Sequence, residues 1–200
     1  MKLVVLGSGT SVPHSDRASA AFWLEMSAGS LLLDCSADAP HRMAEEALDW
    51  PNLDAIWISH LHLDHCGGLA PLLFGMKHAA QTRSRKKPLQ IVGCTGTKKL
   101  LAAIDNANDY KLFELPFPLD LIEISADDSS SKFEIMSGVT AAVVSTPHRP
   151  ESLALRIADE HGTTVVYSSD TGFSEEVAQF ARQADLFVLC LLYTSPSPRD

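Results

Sequence analysis

His60-Leu61-His62-Leu63-Asp64-His65 sets three imidazoles and a carboxylate within six residues, directly after the apolar stretch Asp54–Ser59. Imidazole nitrogen and carboxylate oxygen are ligands for zinc, and also for manganese or iron. The stretch Asp54–Ser59 reads as a strand. The period-two alternation of a strand sends His60 and His62 out on the same side. The turn that follows lets Asp64 and His65 face a second ion. Cys66 adjoins the set, but four ligands already suffice, and it is read as a packing residue.

Such a cluster needs elements to hold it. Lys2–Leu6 is an apolar run ending at Gly7-Ser8-Gly9, a strand entering a turn. Ala20–Met26 and Ser30–Cys35, joined through Ala28-Gly29, read as a hairpin. Asp38–Asp49 has helical composition and stops at Trp50-Pro51. Gly68–Ala80 and Thr97–Asn106 read as helices around a strand at Leu89–Val92. The second half is richer in strands: Leu119–Ile124, Lys132–Ile135, Val139–Ser145, Ser152–Ala158 and Thr163–Ser168, the last two joined at His161-Gly162. Ser174–Arg182 is a helix and Asp185–Leu189 a strand. Asp127–Ser131 is a polar loop. Mixed strands and helices without a repeat predict one layered α/β domain.

The 200 residues are 46% hydrophobic and 20% charged, with a net charge of −9. This is an ordinary soluble globular balance, and it disfavours a broad nucleic-acid-coating surface. No apolar run approaches the length of a spanning helix, so no membrane partner is expected. Leu3–Leu6 is too short for a signal-peptide core, which makes the cytoplasm the default compartment. Cys35, Cys66, Cys94 and Cys190 lie far apart, so a disulfide scaffold is not expected. Gly7-Ser8-Gly9-Thr10 does not open a helix as GxGxxG, which argues against a dinucleotide fingerprint. It is expected to shape the cleft floor near the metals. The basic run Arg83-Ser84-Arg85-Lys86-Lys87 is expected to be a solvated loop.

HxHxDH after a strand resembles the signature of the metallo-β-lactamase fold superfamily. Leu6-Gly7-Ser8-Gly9-Thr10-Ser11-Val12-Pro13 resembles its ribonuclease Z-like branch. So do Thr146-Pro147-His148, Ser152–Ile157 and Tyr167-Ser168-Ser169-Asp170-Thr171-Gly172. The resemblance implies a four-layer αβ/βα sandwich with two divalent metal ions, zinc before manganese or iron. It implies that His60, His62 and His148 hold the first ion, Asp64 and His65 the second, and that Asp170 bridges both. Asp170 is placed in a tight turn after its strand, before Gly172. His14, His41, His78 and His161 have no such context and are expected in solvent.

The implied chemistry is metal-dependent hydrolysis of a phosphodiester or RNA, with Asp64 and Asp170 as catalytic carboxylates. Two ions about 3.5–4 Å apart lower the pKa of a bridging water toward neutrality. Asp64 and Asp170 orient the resulting hydroxide. Only 21 residues separate His148 from Asp170, which leaves no room for the arm that transfer-RNA-processing members carry there. A small linear or cyclic diester is therefore expected over whole transfer RNA. Thioester or lactone hydrolysis on the same fold is the alternative enzyme reading, and a non-catalytic metal-binding regulator the alternative outside enzymes. A homodimer is a candidate assembly.

Leu191–Asp200 equals the translation of CTCTTATACACATCTCCGAGCCCACGAGAC, which resembles a transposon-derived adapter used in sequencing libraries. Residues 190–200 are therefore expected to be foreign, and 1–189 to be a hydrolase domain lacking its C-terminal part. The resemblance implies one more histidine on the second metal, beyond Asp185–Leu189, and no histidine follows His161.

Overall fold

A computed structural model describes residues 1–128 and 131–191. The chain divides into two compact units, Met1–Ile124 and a second from Ser125 onward. Each is built on its own sheet.

In the first unit, six strands lie in chain order: β1 (Lys2–Gly7), β2 (Ala21–Met26), β3 (Gly29–Leu33), β4 (Ala55–Ile58), β5 (Leu89–Cys94) and β6 (Leu119–Ile124). The first three pair antiparallel and the last three add in parallel. The β2–β3 hairpin sets Leu24 against Leu31 and Phe22 against Leu33. Parallel strands covered on both faces are apolar at nearly every position, and all four residues of β4 are buried. Helices α1 (Ala39–Glu45), α2 (Leu63–Cys66), α3 (Leu69–His78) and α4 (Thr97–Asn108) occupy the connections. Ile56, Ile58 and Ile91 pack with Met43, Leu69, Leu73, Met76 and Leu101. Each such side chain contributes about 1.5–3 kcal/mol on burial.

Helix α1 is shorter than Asp38–Asp49. Ala47 takes a left-handed φ of 52°, and Leu48 N–H closes onto Met43 O. Pro51 then shapes a 3₁₀ turn at Trp50–Asn52. In the basic run Arg83, Ser84, Lys86 and Lys87 are exposed, as expected, and Arg85 is the exception. Arg85 is buried and donates to the carbonyls of Pro51, Leu53, Lys87 and Pro88. Its guanidinium lies 4.5 Å from the centre of the Phe117 ring. Lys87 pairs with Asp54. Two cations of the run thus fasten the start of β4 and β5.

The second unit carries a sheet in the order β11, β10, β9, β8, β7. Its strands are β7 (Phe133–Met136), β8 (Val139–Ser145), β9 (Leu153–Ala158), β10 (Thr164–Thr171) and β11 (Leu186–Leu191). Neighbours from β7 to β10 are antiparallel, and β11 joins β10 in parallel. The β9–β10 turn is closed by Asp159, whose carboxylate accepts from the N–H groups of His161 and Thr163. Helix α5 (Glu175–Phe180) is capped by Ser174, whose Oγ accepts from Val177 N–H. Its Val177 packs with Val144 and Ala154.

Strand β10 runs past the expected Ser168 to Thr171. Asp170 therefore lies inside a strand, not in a turn after it. Ser169 has φ 57°, and the register with β11 shifts between Tyr167 and Asp170, as at a bulge. Strand β11 includes Cys190 and Leu191, the first residues of the segment read as foreign. Residues 192–200, the rest of that segment, lie outside the described residues, as do Ser129 and Ser130 of the expected polar loop. The described part of that loop holds a 3₁₀ turn, Ala126–Asp128. Among the described residues, no helix is long and apolar enough to cross a membrane.

Candidate metal centre

Strand β4 stops at Ile58, so His60 and His62 lie two and four residues beyond it. Strand alternation does not orient them. A buried carboxylate orients His60, through Ser59, and His65 directly. Asp34 follows β3 in a left-handed backbone conformation, φ 57°, with its N–H bonded to Trp57 O at 2.9 Å. Asp34 Oδ1 accepts from Ser59 N–H at 2.8 Å. Oδ2 accepts from Ser59 Oγ at 2.7 Å and lies 2.6 Å from His65 Nδ1. An ionised carboxylate only accepts, so both partners donate to it. The Ser59 hydroxyl has then spent its one proton. His60 Nδ1, 3.1 Å from that hydroxyl, must be the donor between them. Both His60 and His65 are thereby held as tautomers whose Nε2 carries the lone pair, the form a metal takes.

His62 precedes the single turn of α2, which carries Leu63, Asp64, His65 and Cys66. Cys35 N–H bonds to His65 O at 2.7 Å, and Gly68 N–H to Cys35 O at 2.8 Å, strapping this turn to the end of β3. A Cβ on Gly68 would come 2.1 Å from Ser36 O, so only glycine allows that approach. The His60 ring centre lies 4.8 Å from that of His62 and 4.2 Å from that of His65. Asp64 Oδ2 is 3.8 Å from His65 Nε2. Ligand atoms of Asp34, His60 and His65 fall within 4.8 Å of one another. Because both Asp34 oxygens are engaged, Asp34 positions the candidate ligands His60 and His65.

Cys66 is buried, and burial first, then Asp34 and Asp64, push its thiol up to about 12. It stays protonated near neutrality, as a packing residue does. A cavity of about 550 Å³ is lined by Ser11, Ser19, Ala37, His62, Leu63 and Asp64. The glycine-rich turn sets its serine wall. Gly9 N–H bonds to Ala18 O, and a Cβ on Gly7 would collide with Ser19 O at 2.0 Å. Ser19 Oγ donates to Thr10 O.

In the second unit, His148 and Asp170 are adjacent despite the two strands between them. Their Nε2 and Oδ2 atoms are 3.7 Å apart, with side chains 14% and 15% exposed. Thr146 sets both through the main chain: its O accepts from His148 N–H at 2.8 Å, and its Oγ1 donates to Asp170 O at 2.9 Å. Gly172 N–H bonds to Pro147 O. At the bulge, Ser168 Oγ donates to Ser169 O and accepts from Cys190 N–H. His14, His41, His78 and His161 are exposed, as expected.

In each unit the donor chemistry suits a divalent cation: imidazoles beside one another in the first, an imidazole beside a carboxylate in the second. Sequence reasoning missed Asp34. Its signal was an apolar strand, Leu31-Leu32-Leu33, ending on an acid. Residues 1–192 match the family described as Anti-Pycsar protein Apyc1. The chain belongs to that family.

This Apyc1-family chain is also similar to ribonuclease Z of Mycobacterium bovis, 27% identical over 199 residues, 94% of this chain and 69% of that protein. Ribonuclease Z of Salinibacter ruber is 32% identical over 124 residues, 62% of this chain but 36% of the relative. The Apyc1-family chain thus spans roughly one to two thirds of these curated relatives. The crystal structure of human tRNase Z, short form, superposes with a TM-score of 0.77 at 22% identity, over 94% of this chain and 76% of that one. The metallo-β-lactamase fold protein YhfI of Bacillus subtilis gives 0.74 at 23% identity, over 92% and 69%. The fold is the metallo-β-lactamase fold, and the chain is ribonuclease Z-like within it.

Proposed function

We propose that this chain is a metal-dependent phosphodiesterase acting on a small linear or cyclic diester. The observation that carries the hydrolase reading is the Asp34 network, which commits His60 and His65 to ligand tautomers. In this reading His60, His62 and His148 hold one divalent ion, and Asp64 and His65 a second, with Asp170 shared. Zinc suits this donor set first, manganese or iron next. Two such ions, when bound, lower the pKa of water toward neutrality and stabilise charge on the attacked phosphorus. Asp64, at the cavity wall, accepts a proton from the attacking water, and Asp170 orients that water. Ser11 offers its hydroxyl to the phosphate oxygens.

The 21 residues between His148 and Asp170 are largely taken up by β9 and β10. That supports a small diester over precursor transfer RNA. A cytoplasmic setting and a homodimer belong to the same reading, and light scattering checks the second.

The test begins with elemental analysis of purified protein after zinc reconstitution. Metal bound per chain is the expected result, and none bound sinks the reading. His62→Ala should lower metal affinity at least about 10–100-fold. Bis(p-nitrophenyl) phosphate and a 3′,5′-cyclic nucleotide should be cleaved in preference to a thioester or a β-lactam. A hundredfold preference for the thioester in kcat/KM would move the chain to another chemistry.

A further inference from the structure

The first unit holds a second cavity, of about 460 Å³, a volume within the range of small-molecule sites. One wall is the end of β1, from Val5 to Ser8. Another is the loop His14–Ala18, and a third is the start of α1. This cavity shares no lining residue with the one at His62 and Asp64. Ala18 and Asp38 line it, whereas their neighbours Ser19 and Ala37 line the other.

Its charges are kept apart. Among the described residues, the side chains of Arg17, Asp16 and Asp38 make no ion pair and no hydrogen bond. Asp38 is the N-cap of α1, where an aspartate commonly accepts from the second or third N–H of the helix. Its carboxylate makes no such bond, and the second position is Pro40, which has no N–H. Arg42 is already spent, donating to Leu6 O, Glu45 and Glu46. His41 pairs with Glu45. His14 Nδ1 accepts from Asp16 N–H at 3.1 Å, so its neutral ring keeps Nε2 as a donor. One free cation thus faces two free anions without meeting either. The loop that carries Arg17 is closed at its neck, where Gly9 N–H bonds to Ala18 O at 2.8 Å and Ser19 Oγ donates to Thr10 O at 3.0 Å. Among the described residues, no hydrogen bond ties its tip to α1 across the cavity.

We propose that this cavity is a binding site for a free basic α-amino acid, with its carboxylate on Arg17 and its two cationic groups on Asp16 and Asp38. One negative and two positive charges are the inverse of what the cavity presents. A guanidinium takes a carboxylate through two parallel bonds, and His14 Nε2 offers a further donor. The bound ligand joins the loop tip to α1 and so steadies Ser11, the loop residue in the other cavity. The site stands apart from the phosphodiesterase reading and does not rest on it.

The test is calorimetry of the zinc-reconstituted chain with L-arginine, which should bind with a Kd below about 1 mM. L-Argininamide lacks the carboxylate and Nα-acetyl-L-arginine lacks the α-ammonium. Each should bind about three- to tenfold more weakly, a modest factor because these charges stand in solvent. Arg17→Gln should erase the advantage of L-arginine over its amide. Asp38→Asn should weaken L-arginine by about the same three- to tenfold factor with an unchanged circular dichroism spectrum, since the carboxylate makes no cap bond. Hydrogen exchange of residues 11–17 should slow when L-arginine is added. Removing zinc with a chelator should leave the titration as it was. Equal affinity for the three probes, binding of none, or parent affinity for L-arginine in both Arg17→Gln and Asp38→Asn overturns the proposal. So does binding that disappears with the zinc, which would put the amino acid on the metal instead.

Discussion

The two units hold their candidate ligands by different means. In the first, His60 and His65 are fully buried and lie outside any strand, and a second side chain, Asp34, fixes their rings. In the second, His148 and Asp170 keep some exposure, and Thr146 fixes them through main-chain bonds. A buried imidazole can turn to the wrong tautomer or bond to the wrong neighbour, so its orientation needs a fixed hydrogen-bond partner. Asp170 lies on β10 and inherits its direction from the ladder, whereas His148 lies three residues beyond β8 and is set by Thr146. The first arrangement stakes more on one residue than the second does.

Asp34→Ala should therefore have the largest effect. It leaves Ser59 N–H, the Ser59 hydroxyl and His65 Nδ1 facing a buried space without their acceptor. Each buried donor left without its acceptor costs about 1–3 kcal/mol, and urea unfolding measures the sum. Metal affinity should fall about 10–100-fold as well. Asp34→Asn separates the causes. Asparagine tolerates the left-handed backbone and keeps an oxygen for Ser59 N–H, but it offers His65 no carboxylate. It should lose metal affinity with a smaller loss of stability. An Asp34→Ala chain that unfolds at the parent's urea concentration would break the comparison.

Thr146→Val tests the other side. It keeps the shape of the side chain and removes the bond to Asp170 O. One neutral hydrogen bond contributes about 1 kcal/mol. The expected result is a loss of that size with a severalfold drop in metal affinity, well short of Asp34→Ala. An equal or greater loss of metal would mean that the second unit depends on a single side chain as much as the first.

The same contrast explains what could be read from residues alone. Strands β2, β3 and β8 and the β9–β10 hairpin were legible because alternation and turn residues are local signals. The cluster His60–His65 was legible because its candidate ligands are close in sequence. Asp34 was not, since it acts on Ser59 and His65 from another strand, and one acid at a strand end has many ordinary uses. Arg85 was misplaced for a related reason. A basic run reads as solvated, but four carbonyls arranged by the tertiary fold can hold a guanidinium in the interior. Asp170 was assigned to a turn because its neighbour Gly172 suggests one. The strand carries on past Ser169 by a left-handed residue at a bulge, which serine does not advertise.

The smallest effect sharpens the contrast at its weakest point, where the second unit does use a charge. Asp185 precedes β11, and its Oδ2 accepts from Thr164 N–H at 2.7 Å and from Thr164 Oγ1 at 3.1 Å. The main-chain bond from Thr164, followed by its hydroxyl, holds this carboxyl below its ordinary 3.8. A carboxylate depressed in the folded state stabilises the fold above the unfolded pKa, and that contribution is lost as pH falls through the folded one. Asp185→Asn keeps an acceptor oxygen and removes the charge. Because the group is exposed, solvent screens it and the difference should be slight. The urea midpoint of Asp185→Asn should lie just below the parent's near neutrality, and the two should converge as pH drops below about 4. A gap that stays constant down to about pH 2 would show that the bond geometry, and not the charge, pins the start of β10. In that case the second unit would be held by its main chain throughout, and the contrast with Asp34 would be complete.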